Sequence, residues 1–153
     1  MAVEEREDGT HLFIQAPTEK KDCPKGSKPE VKESCFCAGK PTERPVLLIT
    51  AATLGQGSEE LGKILMRSFI YSLQETYCLP AKMYFLNSGV FLTTEGSPVL
   101  EELYQLVEMG VEVFSCATCL DYYQLKNKLA VGKITNMYDT VEMICSATKC
   151  ITL

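Results

Sequence analysis

The chain has 153 residues, of which 46% are hydrophobic, and its formal net charge at pH 7 is −5. This length suits one domain with its own core, while the lack of a long apolar run and of a basic stripe argues against membrane insertion and nucleic-acid binding. The single histidine, His11, lies near the amino terminus, so the rest of the chain cannot build a Ser-His-Asp triad, a Cys-His pair or a His-ligated zinc from its own residues.

The first 45 residues differ in composition from the rest. They hold about half of the charged residues and most of the prolines, and they show no apolar periodicity. This composition predicts a flexible, charged linker over residues 1–45. Within it, residues 10–15 (THLFIQ) follow an Asp-Gly turn signal and are predicted to form a short strand.

From residue 46 onward, strand patterns alternate with helix patterns. The predicted strands cover residues 46–52, 81–87, 111–115 and 149–153, with a short extended segment at 133–136. The predicted helices cover residues 58–77, with Ser58 as the N-cap, and 97–110, 118–132 and 138–147. The alternation predicts an α/β domain over residues 46–153, with three αβα layers around a mostly parallel sheet of about five strands.

The loops at the carboxyl edge of this sheet are the expected place for a site, because loops and helix amino termini meet there. These loops contain the candidate site-lining residues Gly55, Gly57, Asn87, Gly89, Thr118 and Asn136. The alternative is a structural role, since glycine permits tight turns and asparagine closes them. The stretch GQGSEELG lacks the spacing of a nucleotide-binding glycine loop.

Two cysteines, Cys116 and Cys119, follow the third strand. The Thr118 and Asp121 spacing predicts a capping box that starts a helix at Cys119, and the positive end of a helix lowers a thiol pKa. We therefore expect Cys116 to be the accessible attacking thiolate, and Cys119 to resolve a disulfide or relay a sulfur atom. Packing in the core and half of a zinc site are the alternatives for this motif.

The other six cysteines receive two interpretations. With eight cysteines and no export signal, the thiols are predicted to be free in a reducing, cytoplasmic compartment. Three fall on or near predicted helices and strands and are interpreted as core residues: Cys78, Cys145 and Cys150. Metal binding or sulfur acceptance stays open for the three in the linker: Cys23, Cys35 and Cys37.

Four stretches resemble one known family: LGQGSEELGKILMRSFIYSL, LPAKMYFLNSGVFLTTEGSPVLEEL, GVEVFSCATCLDYY and LAVGKITNMYD. Together they are similar to the DsrE-like domain of the YedF group, sulfurtransferase-like proteins linked with selenium metabolism. The resemblance covers residues 46–153 and implies a DsrE/DsrF-like fold, a homo-oligomer, and sulfur donor and acceptor proteins as partners. It implies a persulfide on Cys116, with Cys119 as the second cysteine of the family's CxTC pattern. Ala117 stands where that pattern usually has glycine.

Full-length proteins of the YedF group carry a small TusA-like domain before the DsrE-like one. The stretch VEEREDGTHLFIQ is similar to the last strand of that domain. From this resemblance we expect residues 10–15 to be a remnant of it, and the chain to be a carboxy-terminal fragment or a natural truncation. Cys23-Pro24 lacks the strand-turn-helix setting of the TusA cysteine motif, so the TusA role is not transferred to it.

The leading hypothesis is a sulfur or selenium relay protein with a persulfide on the CxxC motif, with no cofactor and no metal. Two alternatives stay open. One is a non-catalytic oligomeric binding or scaffold module, in which the cysteines are incidental. The other is a dithiol oxidoreductase, which would form a reversible disulfide between Cys116 and Cys119.

Overall fold

The structure, a computed structural model, describes residues 2–6, 9–13 and 44–153. The chain divides into two compact units, Met1–Lys32 and Glu33–Leu153. In the first unit, strand β1 (Ala2–Arg6) pairs with strand β2 (Gly9–Phe13) in an antiparallel hairpin. Strand β2 overlaps the strand predicted at 10–15, whose last two residues lie outside the described part, as do the linker cysteines.

The second unit contains one parallel sheet. Its five strands are β3 (Val46–Ile49), β4 (Lys82–Phe85), β5 (Glu112–Cys116), β6 (Lys133–Thr135) and β7 (Cys150–Thr152). They lie in the order β6-β5-β4-β3-β7, and every neighbouring pair is parallel. The predicted sheet of about five mostly parallel strands is therefore confirmed, and β5 is an inner strand.

Helices connect these strands, as the alternating pattern predicts. They are α1 (Glu59–Gln74), α2 (Leu100–Glu108), α3 (Ala117–Tyr122) and α4 (Met137–Ser146), with 3₁₀ helices at Asn87–Thr93 and Lys126–Lys128. Ser58 is the N-cap of α1, as predicted, and its Oγ accepts a hydrogen bond from the Leu61 N–H at 3.3 Å. This bond satisfies one of the amide groups that a helix start leaves unpaired.

Successive side chains of a strand point to opposite sides of the sheet, so the apolar strands present apolar side chains on both faces. Helices cover both of these faces. On one face, Leu47 and Ile49 of β3 join Met83 and Phe85 of β4 in the main core. Buried residues of three helices cover that face: Met66, Ile70, Leu103, Leu106 and Leu120. On the other face, Val46, Tyr84 and Met143 of α4 form a smaller buried cluster.

The third helix is shorter than predicted, because α3 ends at Tyr122 and the chain turns at Gln124. Gln124 has φ 56°, in the left-handed region, and its N–H donates to the Asp121 carbonyl at 3.1 Å. The Leu125 N–H donates to the Leu120 carbonyl at 2.7 Å, and Leu125 packs against the main core to which Leu120 belongs. This is a Schellman ending, which satisfies the last carbonyls of a helix. The prediction of one helix over residues 118–132 is wrong for this reason.

Candidate functional site

Cys116 ends strand β5, and its side chain is fully buried, with 0% of its surface exposed. The expectation of an accessible Cys116 is therefore wrong. The strand explains why: β5 lies between β4 and β6, and Cys116 is still paired with the buried Thr135 of β6. The residue before it, Ser115, is buried as well, and its hydroxyl lies 2.8 Å from that of Thr93.

Helix α3 begins two residues earlier than the predicted capping box required. Cys116 occupies the N-cap, with φ −67° and ψ 123°, and no side chain caps the helix start. The prediction that Thr118 caps a helix beginning at Cys119 is therefore wrong. Because the helix starts at Ala117, Cys119 falls in its first turn.

Of the two cysteines in the motif, Cys119 is the one that borders a pocket. Its side chain is partly exposed, and it lines an open pocket of about 390 Å³ together with Asn87, Thr118, Tyr122 and Tyr123. The backbone N–H of Asn87 donates a hydrogen bond to Cys119 Sγ at a distance of 3.0 Å. The Cys119 thiol in the pocket therefore already accepts one hydrogen bond from the backbone.

The electrostatics at Cys119 oppose ionisation overall. Burial raises the pKa of the Cys119 thiol, the hydrogen bond from the Asn87 N–H lowers it, and contact with the Cys116 side chain raises it again. The net direction is upward, because partial desolvation disfavours the thiolate. The expected lowering of the pKa by a helix start is thus not found at Cys119. A thiol of high pKa forms less thiolate, but that thiolate is intrinsically more nucleophilic.

The turn that carries Asn87 holds this backbone donor in place. Asn87 has φ 48°, a left-handed conformation that asparagine tolerates better than most residues. Its side-chain Oδ1 accepts a hydrogen bond from the Tyr123 hydroxyl at 3.0 Å. The Tyr123 ring packs in turn against Phe91, with 4.7 Å between the ring centroids, and against Tyr122 at 5.0 Å. These contacts fix the direction of the Asn87 N–H.

The structure brings together three of the residues predicted from the sequence, Asn87, Thr118 and Cys119, in this pocket. Gly89 does not line it. Gly89 is buried, and a Cβ there would overlap the backbone carbonyl oxygen of Ile49, so glycine permits a close approach of two segments.

Three further predicted residues also lie outside the lining of the Cys119 pocket. Gly55 and Gly57 occupy an exposed turn with φ 82° and 148°, and a Cβ on either would meet nothing within 4 Å. Asn136 is the N-cap of α4, and its Oδ1 accepts a hydrogen bond from the Asp139 N–H at 2.9 Å. Turn formation and helix capping account for these residues.

The aromatic side chains of the pocket were not among the predicted site residues. Tyr122 and Tyr123 follow Cys119 by three and four positions, a spacing that places side chains on the same face of a helix. That spacing was the available signal. The contact with Phe91 is a tertiary one, and no local pattern indicates it.

The other described cysteines divide by exposure. Cys78 and Cys150 are partly buried, whereas Cys145 is exposed. The interpretation of Cys145 as a core residue is therefore wrong, because it lies on the outer side of α4 while Met143 faces the sheet. Any thiol chemistry measured on this protein needs Cys145 as a control.

Neither a candidate metal site nor a candidate membrane span is present in residues 2–6, 9–13 and 44–153. There, no three His, Cys, Asp or Glu side chains come together in a way that could hold a metal ion. None of the helices in those ranges combines the length and apolar character needed to cross a bilayer.

The architecture is a DsrE-like α/β fold, and solved structures of low sequence identity share it. The ychN protein from E. coli is 18% identical, with a TM-score of 0.56, covering 72% of this chain and 99% of its own. MTH1491 from Methanobacterium thermoautotrophicum, a protein of unknown function, is 15% identical, with a TM-score of 0.52 and coverages of 72% and 98%. BT1422 from Bacteroides thetaiotaomicron, a conserved protein of unknown function, is 8% identical, with a TM-score of 0.54 and coverages of 75% and 99%. No family model matches the chain, and neither does any curated protein.

Proposed function

We propose that this protein is a sulfurtransferase-like sulfur relay protein of the YedF type, and that Cys119 is the residue that exchanges sulfur with partners. One observation carries the proposal: Cys119 lines an open pocket and accepts a hydrogen bond from the Asn87 N–H, while Cys116 is fully buried. The proposal thus keeps the CxxC motif predicted from the sequence and reverses the order of its two cysteines.

In the loading step, the Cys119 thiolate attacks the outer sulfur of a donor persulfide, R–S–SH. A bond forms between Cys119 Sγ and the outer sulfur, the donor S–S bond breaks, and the donor leaves as the thiolate R–S⁻. The Asn87 N–H lies 3.0 Å from Sγ and stabilises negative charge on it before the attack. In the discharge step, an acceptor thiolate attacks the outer sulfur and Cys119 leaves as a thiolate.

Cys116 gives the bound sulfur a second outlet. If the Cys116 thiolate attacks Sγ of the Cys119 persulfide, a Cys116–Cys119 disulfide forms and the outer sulfur leaves as HS⁻. Burial of Cys116 keeps external thiols from competing with this attack. A donor R–S–SeH would load selenium by the same displacement, with R–S⁻ again as the leaving group.

The test is persulfide loading of the reduced protein with glutathione persulfide, followed by intact mass measurement. Each transferred sulfur adds about 32 Da. We expect Cys116→Ser to load at Cys119 and Cys119→Ser to lose that addition. Cys145→Ser is the matched control, because it removes an exposed thiol outside the site and should leave the addition at Cys119 unchanged. Loading of Cys119→Ser to the wild-type level at the motif would overturn the proposal.

A second function, dithiol oxidoreductase, is favoured by the interaction of the two thiols, since Cys116 raises the pKa of the Cys119 thiol. Its signature is a loss of about 2 Da on oxidation, with both thiols then protected from alkylation. If this change occurs with a disulfide donor while glutathione persulfide adds no sulfur, the second function replaces the first.

The proposed relay also includes the partners implied by the family resemblance: a sulfur donor protein, a sulfur acceptor protein and further copies of this chain in a homo-oligomer. Size-exclusion chromatography coupled to light scattering measures the oligomer.

A further inference from the structure

A second cleft, with a volume of about 350 Å³, lies apart from the Cys119 pocket. One side of it is helix α1, and the other is formed by the loop before α2 and the turn after α3. Phe91, which is 42% exposed, and the partly buried Leu125 contribute apolar surface to it, and the buried Met66 and Val99 lie beneath. Its volume lies within the range of pockets that take small organic ligands, about 300 to 1,000 Å³.

Backbone hydrogen bonds hold two segments of this cleft together. The Glu95 N–H donates to the Lys128 carbonyl at 2.9 Å, and Thr94 forms an antiparallel bridge with Leu129. The Ala130 N–H also donates to the Thr93 carbonyl at 2.9 Å. The cleft is therefore formed before any ligand enters, which reduces the entropy cost of binding.

Three basic side chains line this mostly apolar cleft: Lys63, Arg67 and Lys128. Lys63 is paired with Glu59 at 2.7 Å. The side chains of Arg67 and Lys128 have no hydrogen-bond or salt-bridge partner among the described residues.

Two acidic residues enter the charge balance. Glu95 is the acidic residue of the cleft lining. Glu102 borders a separate depression that Arg67 also lines, and its Oε2 is buried without a hydrogen-bond partner among the described residues. With Lys63 paired to Glu59, the two unpaired basic side chains of the cleft lining, Arg67 and Lys128, outnumber its one carboxylate, so its charge favours an anion.

We propose that this cleft binds an organic anion with an apolar body, such as an acyl or aryl carboxylate, sulfonate or phosphate. The anionic group would pair with Arg67 and Lys128, which have free donors, and the apolar body would cover Phe91 and Leu125. This inference does not depend on the sulfur relay.

The cleft and the Cys119 pocket meet at one aromatic contact. Phe91 lines the cleft and packs on Tyr123, which lines the other pocket and donates to Asn87 Oδ1. A ligand against Phe91 therefore lies a short series of contacts away from Cys119, through Tyr123 and the Asn87 turn. We expect its binding to change the amide signals of Asn87 and Tyr123 as well as those of the cleft.

The experiment is an NMR titration of the full, isotope-labelled chain with 2-naphthalenesulfonate, and with neutral 2-naphthol as the comparison ligand. We expect saturable shifts at cleft residues, and binding of the sulfonate at least about tenfold tighter than that of the naphthol. Arg67→Gln and Lys128→Gln should each weaken sulfonate binding at least about tenfold. Lys149→Gln is the control, since Lys149 is exposed and outside the cleft lining.

Three results would overturn the inference. They are equal affinity of the two cleft variants and the wild type, shifts confined to another surface, and absence of saturation up to about 10 mM sulfonate. Both substituted side chains are exposed, so the variants should fold, and a far-UV circular dichroism spectrum checks this. Cys119→Ser should bind the sulfonate with unchanged affinity, which separates this test from the test of sulfur transfer.

Discussion

The two sulfurs of the CxxC motif occupy different surroundings, although only two residues separate them. Cys116 ends an inner strand, is paired there with Thr135 of β6, and is fully buried. Cys119 lies in the first turn of α3, accepts the Asn87 N–H and borders an open pocket. The strand-to-helix junction thus creates one protected thiol and one that an external partner can reach. In the proposed relay, Cys119 would exchange sulfur with partners and Cys116 would react only within the protein.

The largest expected effect is the difference in alkylation rate between the two thiols. In native protein, iodoacetamide should modify Cys119 at least about 1,000-fold faster than Cys116, because Cys116 reacts only when the structure opens. Peptide mapping with fragment-ion localisation measures both rates in one sample. Equal alkylation rates in native protein would show that the two thiols are equally accessible. In denaturant the two rates should be equal, which is the control.

A second test displaces the segment that carries Asn87. Gly89→Ala should lower the free energy of unfolding by about 3 kcal/mol, because the new Cβ overlaps the Ile49 carbonyl and pushes the Asn87–Thr93 helix from β3. Chemical denaturation measures this. Gly55→Ala is the matched control, with a positive φ but open space, and should cost about 1 kcal/mol. A cost for Gly89→Ala no larger than that of the control would show that the close approach does not matter.

The pH dependence of Cys119 gives a third, smaller effect. Because burial and Cys116 raise the pKa of Cys119, its alkylation rate should reach half of its maximum at a pH above that of an ordinary cysteine. Cys116→Ala removes one raising contribution, so the midpoint should move to lower pH. Rates of iodoacetamide reaction from pH 6 to about pH 11 measure both midpoints. An unchanged midpoint in Cys116→Ala would show that the two thiols do not interact, and a higher midpoint would show that Cys116 lowers the pKa of Cys119 instead.

The same pKa has a consequence for stability. The folded state holds the Cys119 proton more tightly than the unfolded state does. The resulting contribution to the free energy of unfolding is fully present below the pKa of Cys119 in the unfolded state. It is lost as the pH rises through the pKa of Cys119 in the folded state. In Cys119→Ser this decline at alkaline pH should be smaller, which urea denaturation at paired pH values measures.

The smallest effect is expected at the outer surface of α3. Lys126 Nζ pairs with Asp121 Oδ1 at 3.2 Å, and both side chains are more than half exposed. Lys126→Gln should change the free energy of unfolding by no more than about 0.5 kcal/mol and leave Cys119 alkylation unchanged. A large change in that alkylation rate would mean that surface charge, rather than the surroundings of the pocket, determines the reactivity of Cys119.

The fold could be predicted from the sequence because its signals are local. Buried strand runs and helical spacing identify α1, α2, α4 and the five strands, and Ser58 is a recognisable N-cap. The early end of α3 could not be predicted in the same way. The Schellman turn places Gln124 in a left-handed conformation without the glycine or asparagine that usually marks it.

Only part of the lining of the Cys119 pocket was predicted from the sequence. Of the eight residues predicted for the site, three line this pocket, Asn87, Thr118 and Cys119. Burial of Cys116 depends on pairing with Thr135 in a strand of three residues, which is a weak local signal. The left-handed turn at Asn87 and the packing of Phe91 on Tyr123 are tertiary features, so the sequence pattern alone does not indicate them.

The most direct test of the central claim is localisation of the transferred sulfur in the wild-type protein. After brief exposure to glutathione persulfide and capping of free thiols, fragment-ion mass spectrometry of the peptide that contains both cysteines identifies the site of the added sulfur, about 32 Da. We predict that the first sulfur appears on Cys119, with Cys116 unmodified. First appearance of the sulfur on Cys116, or its absence from both cysteines, would contradict sulfur exchange through Cys119.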